Sequence, residues 1–407
     1  MTADWDAIVI GAGPAGSVAA RQLALSGRRV LLLDKKRFPR RKVCGACLNH
    51  SAVALLEEIG LGDVLLDTGD SEMTGIEIRA VSRRLSLPLP SGRAISRAVL
   101  DQRLVDAAIR AGVTFQDGVS ATVGTKDSDA RRVAVSPQRG SDRPAQGNAL
   151  GVDDALTPEA LKGRHSELRA SVVLAADGLG HSCLCDLTDV RDHTNANSRI
   201  GAGCEVTEFP AEFRGGVTHM AVGRGGYVGM VRVESGALNI AAAFDARFVR
   251  ESGGPAFAAA SVLAQAGFPA IPAMADAEWL GTPALSRTTT PVAAERLFVL
   301  GDASGYVEPF TGEGIAWALA SAVAVAPLAS AACDGWQPSL AEAWSREHAR
   351  IVRSRQRTCR MLAALLKSPT LVWLAMFLLP KMPSLLRPVI RSVSLPVPQS
   401  MAITRCG

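Results

Sequence analysis

The residues best spaced for chemistry stand near the start of the chain. Gly11, Gly13 and Gly16 read G-x-G-x-x-G, with an apolar run before them at 6–10 and an Ala-rich stretch of helical character after them at 17–26. A second apolar run at 30–33 ends in Asp34, 18 residues beyond Gly16. Strand, glycine turn, helix, strand and acid, in that order, predict a βαβ unit that holds a dinucleotide. Gly11 allows the tight turn out of the strand, Gly13 lets backbone approach a pyrophosphate, and Gly16 lets the helix lie close on the sheet. The helix start, with Ala15 in its first turn, offers N–H groups and the positive end of its dipole to phosphate. Asp34 can accept ribose hydroxyls and disfavours a 2′-phosphate, so FAD or NAD fits better than NADP; Lys35 beside it is a further candidate contact.

A late stretch complements the first. Residues 297–300 form an apolar run that ends in Gly301-Asp302, and a glycine-rich turn follows with Pro309, Gly312, Glu313 and Gly314. An Ala-rich helix is then expected from Ile315 to about 332. Asp302 is placed for a ribityl hydroxyl. The N–H groups of Gly314 and Ile315, at a helix start, can meet the O2/N1 edge of a flavin and stabilise negative charge there.

Bulk properties narrow the class. At 407 residues the chain can form two or three domains. With 48% apolar and 20% charged residues it reads as globular. The net charge of +5 is dispersed, which argues against a nucleic-acid partner. No signal-peptide pattern opens the sequence, and no uncharged apolar run of about 18 residues is read, so a cytoplasmic protein without a spanning helix is expected. The eight cysteines are then reduced thiols. Cys44 and Cys47 form a lone C-x-x-C with no His or Cys cluster to complete a zinc set, so no metal is expected, and a redox pair stays open.

The intervening chain supplies the frame. A helix is expected at 52–59 and another from Ser96 to Gly112. Alternation at Ile76, Ile78, Leu85, Leu87 and Leu89, broken by Pro88, Pro90 and Gly92, predicts a hairpin. Residues 124–169 are polar and read as a long insertion between two strands, partly disordered. Short alternating runs from 199 to 285 predict an antiparallel sheet. Residues 340–360 are basic and amphipathic. An apolar run at 371–379 follows, too short to span a bilayer; it either packs on the core or over a substrate tunnel, touches a membrane surface, or makes a dimer contact.

Arg41-Lys42-Val43-Cys44-Gly45, the R-x-x-L-D-x-x-L run from Arg97, Ala176-Asp177-Gly178 with Ser182, and the Gly301–Ile315 stretch follow one another in an order that resembles the geranylgeranyl reductase family, within the wider class of flavoprotein monooxygenases and halogenases. The resemblance implies that Cys44 and Gly45 lie beside the flavin ring and substrate, that Arg97 contacts the flavin nucleotide, and that Ala121 faces the adenine. It also implies that Asp177 belongs to a second flavin fingerprint that orients a nicotinamide donor, NAD(P)H. Two departures stand out. Cys185 occupies a position where an arginine often follows that serine, and Gly229 and Arg232 replace the aromatic-rich strand of isoprenoid reductases.

The expected fold is α/β: a doubly wound, Rossmann-type FAD domain from residues 1–72, 94–190 and 286–335, with the polar insertion at 124–169. An inserted antiparallel β-sheet substrate domain comes from 73–93 and 191–285, and a C-terminal helical segment from 336–407. The expected function is an FAD-dependent oxidoreductase acting on a hydrophobic small molecule, isoprenoid- or polyketide-like, by hydride transfer from flavin N5. The alternatives are aromatic hydroxylation with NAD(P)H and O2, and a non-catalytic lipid carrier on a flavoprotein fold. No catalytic acid or base is named, and oligomeric state is left open.

Overall fold

The structure, a computed structural model, describes residues 3–66, 72–137, 166–308, 310 and 312–381. The chain opens with β1 (Trp5–Ile10), α1 (Pro14–Leu25) and β2 (Val30–Asp34), then β3 (Cys47–Leu48) and α2 (His50–Glu58). The hairpin β4 (Glu72–Ala80) and β5 (Arg83–Ala94) follows, then α3 (Arg97–Arg110), β6 (Thr114–Asp117), β7 (Val119–Lys126), β8 (Arg131–Pro137) and β9 (Ser166–Ala175). Next come β10 (Arg191–Thr194), β11 (Ile200–Val206), β12 (Val217–Gly223), β13 (Gly226–Arg232), β14 (Leu238–Phe244), α4 (Ala246–Glu251) and α5 (Pro255–Ala266). The strands β15 (Leu280–Ala284), β16 (Arg287–Thr290), β17 (Ala293–Ala294), β18 (Leu297–Val299) and β19 (Gly305–Tyr306) lead into α6 (Gly314–Asp334), α7 (Pro338–His348), α8 (Ser354–Leu365) and α9 (Pro369–Leu378).

The first sheet runs β17-β18-β9-β1-β2-β6. Its core is parallel: Ala7 pairs with Val30 on one side and Val172 on the other, and Val173 pairs with Leu297. Successive side chains of a strand point to opposite faces, and here both faces are buried, which is why these strands read as unbroken apolar runs. Ala7, Val9, Val30, Leu32, Val172 and Leu174 join the core under the helices α1, α3 and α6. Ile8, Ile10, Leu31, Leu33, Val173 and Ala175 join a separate cluster under the hairpin β7–β8. The end of β1 lies between neighbours on either side, the switch point at which such sheets bind ligands.

The polar stretch at 124–169 begins and ends as strand: β7, β8 and β9 form an antiparallel meander. The remainder of that stretch, 138–165, lies outside the described residues.

The second sheet runs β15-β11-β14-β13-β12-β4-β5-β3. Its pairings are antiparallel except one. Strands β12 and β4 run parallel, Val217 beside Gly75, because the early hairpin docks as a unit against a strand made much later in the chain. The helix α5, not foreseen from sequence, covers one face, its Ala258, Val262 and Leu263 packing in one cluster with Phe213 and Phe244. The other face carries Ala80, Leu85, Met220, Val222, Tyr227 and Ala243 and meets Val372 and Met376 of α9.

The expectation of no long apolar helix needs correcting. The 21 residues of α6 are long and apolar enough to cross a bilayer by length and composition. The interruptions that hid this, Ser321, Pro327 and Ser330, do not break the helix. It is mostly buried, as the central helix of the core.

Candidate active site: a dinucleotide cleft opening into an apolar gallery

Two of the three early glycines are required by the protein's own backbone. Gly11 has φ +103°, and a Cβ there would lie 2.4 Å from the carbonyl oxygen of Ala176. A Cβ on Gly16 would lie 1.8 Å from the carbonyl oxygen of Gly11. Gly13 is different. A Cβ there would meet only the guanidinium ends of Arg40 and Arg97, each at 3.7 Å. Packing does not explain its missing side chain; space for a ligand does. Gly13 is also the N-cap of α1, and no side chain caps that helix.

The cations facing Gly13 are held by a buried acid. Arg97 donates through Nε and Nη2 to both oxygens of Asp101, at 2.8 and 2.7 Å. Arg40 reaches Asp101 at 3.2 Å and Asp34 at 3.4 Å. Burial opposes the charge on Arg97, but Asp101 outweighs it and holds the pKa above the ordinary arginine value. Asp34 is itself braced, accepting the Ala12 N–H at 2.9 Å and the Lys36 N–H at 2.8 Å. Two fixed guanidinium groups beside an uncapped helix start suit a pyrophosphate.

At the far end, Asp302, Gly312, Gly314 and Ile315 line the same cavity. The helix α6 starts there, also with no side-chain cap. Lys42 Nζ lies 3.8 Å from Asp302, and burial pushes its pKa down, helped by Arg97. Cys44 and Gly45 line the wall between, and the Cys44 carbonyl is fixed by Asn239 Nδ2 at 3.0 Å. Cys47 is a free thiol, as is Cys44. It donates to the Gly45 carbonyl at 3.0 Å, and burial pushes its pKa up to about 12, which keeps it protonated and a weak redox nucleophile.

The candidate residues thus divide into three groups. Gly13, Ala15, Cys44, Gly45, Arg97, Asp302, Gly312, Gly314 and Ile315 line one cavity of about 400 Å³. Gly11, Gly16, Asp34 and Gly301 lie just behind that wall; a Cβ on Gly301 would sit 2.8 Å from Ala15 Cβ. Lys35, Asp177 and Ala121 are off it. Lys35 Nζ donates to Ser182 Oγ at 3.2 Å, and Asp177 accepts the Cys183 N–H at 2.9 Å. Ala121 is buried in the cluster under β7–β8. Pro309 lies outside the described residues.

Sequence reading passed over Arg40, taken only as part of a basic segment, and both tyrosines. The chain has two, and Tyr227 and Tyr306 both line the cavity. Arg232 proves irrelevant to the site: it is exposed at the end of β13, its guanidinium 5.8 Å from the Phe209 ring. Gly229 does line the wall.

Beyond the ring end the cavity widens into an apolar gallery. Its floor is the second sheet, with Ile76, Ile78, Leu87 and Met220; its roof is Leu362, Leu365, Val372 and Met376 of α8 and α9. A dinucleotide cleft at a parallel-sheet switch point, continuous with an apolar pocket in a second sheet, defines a flavoprotein oxidoreductase architecture.

The chain belongs to the FAD binding domain family, which it matches over residues 4–357. Among similar proteins are a menaquinone reductase of Mycobacterium tuberculosis, 35% identical over 143 residues, 34% of this chain and 35% of that protein. A digeranylgeranylglycerophospholipid reductase 1 of Methanothermobacter thermautotrophicus is 29% identical over 188 residues, 44% of this chain and 40% of that protein. The similarity therefore spans only about a third of the length of the menaquinone reductases. Among solved structures, a flavoprotein/dehydrogenase from Cytophaga hutchinsonii superposes with TM-score 0.76 at 18% identity, covering 96% of this chain and 92% of that one. The flavin-dependent brominase Bmp2 gives 0.74 at 16%, covering 96% and 93%. The resemblance to geranylgeranyl reductases is supported by the digeranylgeranylglycerophospholipid reductase match, the brominase and dehydrogenase structures share the fold, and the matched family makes the chain an FAD-binding protein.

Proposed function

We propose that this enzyme reduces a double bond or quinone ring of an isoprenoid- or polyketide-like molecule, with NAD(P)H as electron donor. The observation that carries the reading is the unbroken run of cavity from Asp302 and Ile315 into a gallery walled by Ile76, Ile78, Leu87, Met220 and Met376. A polar substrate would leave its hydrogen-bonding groups unpaired against those side chains. The relatives named for menaquinone and for digeranylgeranylglycerophospholipid support the same class.

When bound and reduced, FAD supplies the hydride; the protein supplies position and a proton. Gly13, Arg40 and Arg97 would hold the pyrophosphate, Asp302 the ribityl chain, and the N–H groups of Gly314 and Ile315 the ring edge. Reduction of a double bond consumes a proton besides the hydride. Burial pushes the Tyr306 phenol well above its ordinary pKa, with Asp302 adding to the effect, so its O–H is intact at the cavity wall. Tyr306 is our choice of proton donor.

The second reading, hydroxylation, draws on Gly229, Ala241 and Ala243, small residues on the cavity wall that leave room for a planar ring. Anaerobic reduction of the FAD-loaded enzyme by NADPH, followed by menaquinone or a geranylgeranyl lipid, separates the two. A product heavier by two hydrogens formed without air supports reduction. A product heavier by one oxygen, formed only in air, overturns it.

A further inference from the structure

The helix α9 has two faces with different surroundings. Val372, Ala375, Met376 and Leu379 line the apolar gallery. On the same ten residues, Leu371, Trp373 and Leu374 are 45, 48 and 41% exposed. One helix is therefore all that separates the gallery from the outside. The chain bends by 104° between α8 and α9, which lays α9 across β4 and β5. At the tip of that hairpin Val81 is also exposed.

The charge in the stretch of sequence leading into and out of this apolar strip has one sign. Between residues 349 and 381 the sequence has seven Lys or Arg and no Asp or Glu. Arg83 and Lys381 both sit over the Phe377 ring, at 5.2 and 3.9 Å, and Trp373 stacks on the same ring with centroids 5.5 Å apart. Lys367 stands exposed at the other end of the helix. A short apolar helix with an aromatic pair, flanked at both ends by cations, two of them seated over an aromatic ring, is the chemistry of a segment that settles in the boundary of an anionic bilayer. A water-facing helix has no use for three adjacent large apolar side chains, and a protein partner would not require the one-sided charge.

We propose that α9 docks on an anionic lipid surface through Leu371, Trp373 and Leu374, and that its inner face is the door through which a bilayer-dissolved substrate enters the gallery. The second half rests on the proposed apolar substrate; the docking does not. The inner side chains are all aliphatic, so a lipid chain passing between Met376 and the hairpin meets no polar barrier.

The test uses the FAD-loaded full chain and vesicles of phosphatidylcholine with or without phosphatidylglycerol. Co-sedimentation is expected with the anionic vesicles, falling with added salt as screened charge requires. A triple variant, Leu371→Ser with Trp373→Ser and Leu374→Ser, should keep its flavin and its turnover of a detergent-dissolved substrate. It should lose vesicle binding by tenfold or more and turnover of vesicle-embedded substrate with it. Absence of co-sedimentation by the native chain overturns docking, whatever its turnover in detergent. Concentration-dependent dimerisation abolished by the triple variant, with no vesicle binding, assigns the strip to a second copy and overturns it as well. Vesicle binding without turnover of any apolar substrate keeps docking and sinks the substrate reading alone.

Discussion

Arg199 and Glu308 form an ion pair of 3.0 Å with each side chain only 2% exposed. Arg199 stands just before β11 of the second sheet, and Glu308 in the turn that leads to α6. The same guanidinium donates to the Leu366 carbonyl at 3.4 Å, at the end of α8, and lies 5.6 Å from the Tyr227 ring. One buried cation thus ties together the second sheet, the turn before α6 and the gallery roof. Burial pushes the Glu308 pKa up, and Arg199 pulls it part of the way back.

Removing one partner should hurt more than removing both. Arg199→Met leaves Glu308 buried without its counter-charge, at a cost of about 3–5 kcal/mol. Adding Glu308→Gln should restore much of that loss. Urea unfolding of both variants checks it; equal stability of single and double variants would show that the pair is not coupled.

Two glycines three positions apart should respond in opposite ways. Gly16→Ala forces a Cβ into the Gly11 carbonyl and should destabilise the fold by about 3 kcal/mol or more. Gly13→Ala has room in the protein and should change stability by less than about 0.5 kcal/mol. It intrudes on the phosphate space instead, and flavin affinity should fall about tenfold, or 1.4 kcal/mol. Thermal unfolding together with the flavin absorbance retained after gel filtration reads both.

Loss of the proposed proton donor should be visible in kcat alone. Tyr306→Phe keeps the ring that lines the cavity and removes its O–H. Turnover should drop about 10²-fold with KM and flavin content little changed. An unchanged kcat with a rate-limiting reductive step would exclude Tyr306 from the chemistry.

Acid should weaken the protein through His348. Its Nε2 lies 2.8 Å from Ser304 Oγ, whose one proton goes to the Gly301 carbonyl at 2.7 Å, so Nε2 is the donor. Burial, then Arg353, pushes its pKa down from 6.5 to about 4. The unfolded chain binds this proton first, so stability is complete above pH 6.5 and is lost as pH falls toward about 4. The loss totals about 3 kcal/mol. His348→Gln keeps a neutral donor toward Ser304, and the part of the acid loss within that window should disappear from its pH–stability profile.

What could be read from the chain and what could not divides along a physical line. The nucleotide end is local: a strand, a turn and a helix start within a dozen residues impose their own geometry, so Gly11, Gly13, Gly16, Gly314 and Ile315 carry their roles in their spacing. The hairpin at 73–93 announced itself by alternation for the same reason. The parallel pairing of β12 with β4 did not, since strand partners 140 residues apart leave no local mark. Arg40 looked like one more charge in a basic run until the fold brought it to Gly13 and Asp101. Tyr306 and Tyr227, 79 residues apart in sequence, became one wall only when the small sheet β10-β16-β19 and the sheet that carries β13 came together at the cavity.

The sequence by itself determined the cofactor and the βαβ frame, because those depend on backbone conformations that glycine spacing dictates. Tertiary structure decided everything about the gallery: which apolar side chains face it, that Arg232 does not, and that α9 is both its roof and an outer surface. Apolar residues are interchangeable in a sequence. Only the packing of one element on another tells which of them enclose a space and which turn outward.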